Sequence, residues 1–314
     1  MRLMKEHNNR KKANKYAEYI TGQELRKYLA EKVVKYCGET VSIFDGAAGS
    51  GQLEEHLNVK EFHAVEIQQE ACEALQYNYP KAVISNMSFF QYDSDYQADV
   101  VIMNPPFSLK FKEQTDEDKK AIQEEFSWKK SGVVDDIFLL KSLKYTKRFA
   151  FYIMFPGITY RGAEKKMREI VGNRLLELNV IENAFEDTQI NVVFIVIDKE
   201  KTDNEYHSEI YNCKTQELVY QETQVLDSDY SWQILKKPVE EEVIDIDEVN
   251  RELDEITLKR FEKHLAEQLL LIQIFNADID YLGFIKKARE VLTQYETEYL
   301  RFYTQKNNIS CNEL

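Results

Sequence analysis

Cysteine is scarce and scattered: Cys37, Cys72, Cys213 and Cys311 form no Cys-x-x-Cys pair. That spacing excludes a cysteine zinc site and a disulfide framework, and fits a reducing cytoplasm. Long apolar runs are missing too, and nothing approaches the roughly 18 consecutive apolar residues of a membrane-spanning helix. The first residues, Met1 to Lys15, are polar and basic and lack the apolar centre of a secretory signal, so a cytoplasmic location is expected. No solenoid-type repeat recurs. What is there is a globular composition, 43% hydrophobic and 31% charged, in 314 residues. That length can bury a full α/β core and still carry a smaller second unit.

The net charge of −14 is unevenly placed. Residues 1–200 hold 31 acidic and 28 basic side chains, a net of −3, whereas residues 201–314 hold 24 and 13, a net of −11. The acidic third repels phosphates and shows no basic stripe with interleaved aromatics, so it is not expected to read nucleic acid by itself. The first fifteen residues form a basic arm (Arg2, Lys5, Arg10, Lys11, Lys12, Lys15). Such an arm reads either as a contact for a polyanion or as a solvated terminus.

Short apolar runs alternate with helical stretches over the first two hundred residues. Strands are predicted at Val41–Phe44, Phe62–Val65, Ala82–Ile84, Val100–Met103, Phe149–Phe155, Leu178–Glu182 and Val192–Asp198. Gln23–Tyr36, Glu70–Tyr77, Ile137–Tyr145 and Ala163–Glu177 read as helices. Strands separated by helices imply crossovers and a mainly parallel sheet covered on both faces. The link Glu182–Asn191 is too short for a crossover helix, so the seventh strand is expected antiparallel. Leu109 to Val134 is long, polar and evenly charged, and reads as a mobile lid or an insertion. Tyr206–Tyr220 suggests a small hairpin, and Pro238–Glu255 an acidic connector. Leu258, Phe261, Leu265, Leu269, Ile272 and Phe275, then Ile279, Leu282, Ile285, Leu292, Tyr295 and Tyr299, recur at helical spacing. With Asn276-Ala277-Asp278 turning the chain, they predict a helical hairpin.

Three motifs carry chemistry. Ile43–Gly51 runs from an apolar strand into a loop of small residues, Asp45-Gly46-Ala47-Ala48-Gly49-Ser50-Gly51, followed by a predicted helix over Gln52–Leu57. Its glycines let backbone amides approach a ligand. Its spacing is GxxGxG, and Asp45 at its mouth would repel a pyrophosphate but suits a ligand with a positive amino-acid end, as S-adenosylmethionine has. Glu66 ends the next strand, 21 residues after Asp45, where an acid in such folds accepts hydrogen bonds from both ribose hydroxyls. Asn104-Pro105-Pro106-Phe107 follows the Val100–Met103 strand. The prolines stop both ladder and helix at the ligand-binding edge of the sheet. The Asn104 amide oxygen and the Pro105 carbonyl are two acceptors for the two hydrogens of an amino group, keeping its nitrogen aimed at an electrophile. Phe107 offers a flat face for a base.

These motifs together resemble the amino-group methyltransferases that act on DNA adenine, in the gamma order with the cofactor loop first. Tyr19-Ile20-Thr21-Gly22 is similar to the family's Tyr/Phe-x-Thr-Pro segment, with Gly22 in place of proline. Phe155-Pro156-Gly157-Ile158-Thr159-Tyr160-Arg161-Gly162, with Glu164, Lys165 and Arg168 after it and Asp187-Thr188-Gln189-Ile190-Asn191 further on, looks like the modification subunit of type I restriction–modification systems. The resemblance covers about residues 16–200. It implies an α/β fold: a Rossmann-like seven-stranded methyltransferase sheet with helices on both faces, plus a small β element and the C-terminal helical hairpin. The expected divisions are the arm 1–15, the methyltransferase domain 16–202, a small β extension 203–237, and the connector and hairpin 238–314.

The resemblance implies S-adenosyl-L-methionine as cofactor and no metal. It assigns catalysis to Asn104, Pro105, Pro106 and Phe107. Cofactor contacts fall to Thr21 at the methionine end, to Asp45, Gly46, Ala47, Gly49 and Gly51 of the loop, to Glu66 and Ile67, and to Ser88 and Phe89. The family usually places an acid after the third strand for the cofactor's adenine; here Ser85-Asn86-Met87-Ser88 offers Ser88 or Asn86 instead. Type I subunits carry a large helical domain before the catalytic one, so a compact relative or an orphan enzyme is expected. The implied partners are DNA and either a specificity subunit or a second copy, docked on the apolar seams of the C-terminal helices; those seams could equally pack on the catalytic domain. Asn-Pro-Pro-aromatic motifs also serve enzymes acting on RNA bases or protein glutamine, and a non-catalytic assembly subunit retaining the fold is the remaining alternative.

Overall fold

The computed structural model describes residues 21–185, 191–237, 246–275 and 280–307. The basic arm, Tyr19-Ile20, Asp187–Ile190 and the Asn276–Asp278 turn lie outside the described residues. The chain divides into two compact units, Met1–Pro238 and Val239–Leu314.

The first unit opens with α1 (Gln23–Cys37), β1 (Thr40–Asp45), β2 (Asn58–Glu66), α2 (Gln69–Asn78), β3 (Val83–Asn86) and β4 (Ala98–Met103). Then come α3 (Asp116–Glu125), α4 (Asp135–Ser142), β5 (Thr146–Met154), the short α5 (Gly157–Tyr160), α6 (Lys165–Val171), β6 (Leu175–Glu182) and β7 (Val192–Asp198). A hairpin, β8 (Glu205–Asn212) and β9 (Glu217–Val225), completes it. The strands form one sheet in the order β3-β2-β1-β4-β5-β7-β6-β8-β9. β1 to β5 are parallel, and β7 is antiparallel to both β5 and β6, as the short link before it predicts.

Residue alternation along the central strands explains the two-sided cover. Val100, Ile102, Phe151, Ile153, Phe194 and Val196 pack with Leu25, Leu29 and Val33 of α1 and Leu75 of α2 on one face. Their neighbours Val101, Met103, Ala150, Tyr152, Val193 and Ile195 pack with α4 and α6 on the other. A strand buried on both faces loses polar alternation, so these segments read as continuous apolar runs.

Several expectations change. The sheet has nine strands, not seven, because the predicted hairpin joins it: β8 runs parallel to β6 and pairs with β9. Buried charge fastens it there. Lys32 of α1 bridges Glu177 of β6 at 2.7 Å and Glu209 of β8 at 3.0 Å. Burial alone would raise the Glu177 carboxyl, but Lys32 beside it holds it down to about 2. β9, with Glu217 and Glu222, is the exposed edge, where charge discourages further strand pairing.

Gln52–Leu57 forms turns, not a helix. The Glu55 N–H donates to the Gln52 carbonyl at 3.1 Å and the Leu57 N–H to the Glu54 carbonyl at 3.0 Å, closing tight turns, and β2 begins at once with Asn58. The helix predicted over Ala163–Glu177 ends at Val171, because Gly172 turns out at φ 54° and β6 begins at Leu175. Of the two readings of Leu109–Val134, lid or insertion, the structure fits the insertion: a folded excursion that contains α3. The Phe111 N–H donates to the Gly132 carbonyl at 2.9 Å and the Val134 N–H to the Leu109 carbonyl at 2.9 Å, closing its base. Phe111 and Ile122 anchor it in the core.

The second unit holds two helices, α7 (Ile246–Phe275) and α8 (Tyr281–Asn307). α7 begins inside the predicted connector, because Val249, Leu253 and Ile256 extend the apolar spacing and Asp247 and Glu248 favour a helix N-terminus. The rings of Phe261 and Phe284 lie 6.4 Å apart. No described side chain of α7 is buried, and Leu258, Leu265, Leu269 and Ile274 all stand exposed. No helix among the described residues is long and apolar enough to cross a membrane.

Candidate active site at the switch point of the sheet

Strand order reverses between β1 and β4, which leave the sheet side by side (Phe44 opposite Val101) and diverge at their carboxyl ends. Such a point is where open α/β sheets bind ligands. A cavity of about 320 Å³ lies there. Of the expected site residues it gathers Thr21, the loop Asp45-Gly46-Ala47 and Gly49, Glu66, Ile67, Ser88 and Phe89. The four residues Asn104, Pro105, Pro106 and Phe107 line it as well. Gly51 does not. It sits at φ 75°, and a Cβ there would lie 2.4 Å from Leu75 of α2, so its bareness serves loop packing.

Asp45 ends β1 with its side chain 1% exposed. Its Oδ1 accepts from the Ala47 N–H at 2.7 Å, and the buried Glu54 carboxyl shares a hydrogen bond with it. Burial pushes the carboxyl up to about 7, against the pull of the Ala47 N–H. A buried carboxyl at the mouth of a glycine loop fits a ligand that brings an ammonium group. Gly46 is required beside it, because a Cβ would lie 2.7 Å from the Phe89 ring.

Glu66 is clamped by the loop it faces. Its Oε2 accepts from the Gly49 N–H at 2.9 Å and its Oε1 from the Gln68 N–H at 2.8 Å. The clamp fixes the orientation of a carboxylate that lines the cavity. Asn86 is absorbed by structure: its Nδ2 donates to the Glu66 carbonyl at 2.9 Å and contacts Cys72 Sγ at 3.3 Å. Ser88 is therefore the member of that pair on the cavity wall.

The Asn104 Nδ2 donates to Thr21 Oγ1 at 2.8 Å. Thr21, expected only at the cofactor's methionine end, thus also sets the sense of the catalytic-motif amide. Phe107 is buried at the cavity wall, edge-on to Phe185 at 6.3 Å. Just beyond it Ser108 adopts φ 59°, and its N–H donates to Asp135 Oδ1 at 2.9 Å at the start of α4. Burial pushes Asp135 up to about 7, with the Ser108 N–H pulling it down. Sequence reading missed this tie, since a polar residue opening a helix has no pattern that names its partner.

A family model described as N-6 DNA Methylase matches residues 3–268. The chain belongs to the N-6 DNA methylase family. Among solved structures, it is similar to a type I restriction–modification system methyltransferase subunit from Streptococcus thermophilus. The two share 18% identity and a TM-score of 0.52, over 63% of this chain and 49% of that one. A chain from a structure concerned with complex assembly of the type I restriction–modification system shares 12% identity and a TM-score of 0.53, over 84% of this chain and 67% of that one. At these identities the likeness shows the fold, and the chain spans about half the length of the Streptococcus subunit. Family membership agrees with the order of the motifs and with the α/β sheet that carries them.

The excursion between β4 and α4 supplies cavity residues that the motifs did not announce: Leu109, Glu113, Gln114 and Asp118. Phe138 of α4 joins them, its ring stacked 5.6 Å from Phe89. Among the described residues, no lysine or arginine lines the cavity. No cluster of potential metal ligands occurs among the described residues either.

Proposed function

We propose that this chain moves a methyl group from S-adenosylmethionine to the exocyclic amino group of an adenine flipped out of DNA. The observation that carries the reading is the meeting of Asp45, Glu66 and Asn104–Phe107 in one cavity whose lining, among the described residues, carries carboxylates and no cation. When bound, S-adenosylmethionine supplies an electrophilic methyl on a sulfonium, and the cavity's charge suits such a ligand. Asp45 receives the ammonium end, and Glu66 accepts from the ribose. The Asn104 amide oxygen and the Pro105 carbonyl take the two amino hydrogens of the target, and Phe107 stacks on its ring. Those acceptors hold the nitrogen lone pair toward the methyl and stabilise the positive charge that develops on it. No general base has to act before attack.

The apolar faces of α7 and α8 support a further part of the reading, docking on helices of a subunit that reads DNA sequence. A net of −11 over residues 201–314 agrees with a protein contact rather than a DNA contact for this part. The test is methyl transfer from labelled cofactor to DNA, RNA and protein fractions, followed by nucleoside analysis of the labelled pool. N6-methyladenine in DNA supports the reading. Label confined to RNA or to glutamine shifts the substrate, and cofactor binding without transfer to any pool, with or without added cell extract, contradicts it.

A further inference from the structure

The cavity lining mixes two chemistries: the polar Thr21, Asp45 and Glu66, and the apolar Phe89, Phe90 and Phe138. To that lining the excursion delivers a buried carboxylate, Asp118 of α3. Asp118 is only 4% exposed, yet it lines the cavity beside Ser88, Phe89 and Phe90. Burying a carboxylate among aromatic rings is costly unless something accepts its charge or shares its hydrogen bonds.

Hydrogen bonds hold both the side chain and the backbone of Asp118. Gln91 Nε2 donates to Asp118 Oδ1 at 2.8 Å. Thr115 Oγ1 caps the helix by accepting from the Asp118 N–H at 3.1 Å. The turn that carries Gln91 is itself held, because Lys141 Nζ donates to the Phe90 carbonyl at 2.7 Å. The other acid the excursion brings to the cavity, Glu113, is exposed and paired with Lys110 at 3.3 Å. A carboxylate has about four lone-pair sites, so the Gln91 bond leaves Asp118 able to accept another donor. Ser88 stands on the same wall but is neutral and can donate as well as accept.

We propose that Asp118 accepts a hydrogen bond from the 6-amino group of the cofactor's adenine, selecting an adenosyl over an inosyl ligand. The assignment rests on the methyltransferase reading of this cavity. An aromatic ring bearing an amino donor is the ligand fragment that matches a lining of aromatic rings with a fixed, acceptor-only group beside them. A 6-oxo ring would set a carbonyl against the carboxylate, two acceptors facing without a proton between them. The selecting group then comes from the β4–α4 excursion and not from the loop after β3, whose Asn86 serves the backbone.

The experiment is calorimetric titration of the full chain with S-adenosylhomocysteine and with its inosyl counterpart. The wild type is expected to prefer the adenosyl ligand by about tenfold or more, the worth of one charge-assisted bond. Asp118→Asn replaces the acceptor with a group of the same shape that can also donate; it narrows the preference to within about threefold by weakening the adenosyl ligand and strengthening the inosyl one. Asp45→Asn lowers both affinities by a similar factor, because it acts at the shared amino-acid end. A wild type that binds both ligands tightly and equally overturns the assignment without any variant, as does an Asp118→Asn protein that keeps the full preference. If the wild type binds neither, the methyltransferase reading falls and takes the assignment with it.

Discussion

Two regions of this chain show equally regular apolar spacing and use it in opposite ways. Leu25, Leu29 and Val33 of α1 are fully buried against the sheet, while Leu258, Leu265 and Leu269 of α7 stand at helical spacing with their side chains exposed. The pattern of a helix therefore states which face wants cover, and only tertiary structure states whether this chain provides it. In the first unit the strands provide it twice over. In the second, the described residues of α7 find no burial.

That contrast has energetic consequences, and the largest separates the two units directly. Ile102→Ala, in the centre of the sheet, should destabilise by about 2–5 kcal/mol in denaturant unfolding. Leu265→Ala on α7 should change stability by less than about 0.5 kcal/mol, as exposed substitutions do. Equal losses at the two positions would show that α7 is buried within the chain in solution. If Leu265→Ala leaves stability untouched but abolishes assembly with another subunit, the comparison sharpens into one between a core face and an interface.

A second effect lies within the first unit, between groups that serve the fold and groups that serve the ligand. Asp45 is buried with its carboxyl raised to about 7. A folded-state value above the ordinary carboxylate range means that stability is fully present below the unfolded pKa and is lost as pH rises through about 7. Asp45→Asn should therefore match the wild type near pH 4 and exceed it at pH 8 by about 1–3 kcal/mol in thermal or urea unfolding. The same change should weaken the ligand. In the wild type, affinity for a ligand bearing an ammonium should fall as pH drops from 8 to 6, with proton uptake by Asp45 competing against the ligand. A variant no more stable at pH 8, or an affinity flat with pH, would remove the assigned role from Asp45.

The smallest effect is local. Ser108 holds φ 59° directly after Phe107, a conformation that glycine adopts without strain. Ser108→Gly keeps the N–H that Asp135 accepts and should alter stability by no more than about 1 kcal/mol. Asp135→Ala removes the acceptor and should disturb transfer more than it disturbs cofactor affinity, as kcat and KM measured separately would show.

Much of the candidate site was legible because its residues are grouped in short sequence motifs. Asp45 with its loop, Glu66 at the end of β2, and Asn104–Phe107 after β4 each declare themselves within a few residues, and parallel strands bring their carboxyl ends to one edge. The strand segments were legible for the same reason, as short apolar runs between polar stretches. What escaped reading depends on distant partners. The β8–β9 hairpin enters the main sheet through Lys32, Glu177 and Glu209, residues that no sequence pattern connects. Asp118 is tied to Gln91 and Thr21 to Asn104, contacts between residues far apart in sequence. The predicted helix over Gln52–Leu57 gave way to turns, with β2 starting directly after it at Asn58.

The central claim is that Asn104 and Pro105 hold an adenine amino group for methyl transfer in DNA. Its most direct test compares wild type and Asn104→Ala with labelled S-adenosylmethionine, adenine-containing DNA, and the DNA-reading subunit if one is needed. Nucleoside mass spectrometry identifies the product and calorimetry follows the cofactor. The account predicts N6-methyladenine from the wild type, and from the variant a loss of transfer of about a hundredfold or more with cofactor affinity largely kept. N6-methyladenine formed by Asn104→Ala at the wild-type rate would contradict it.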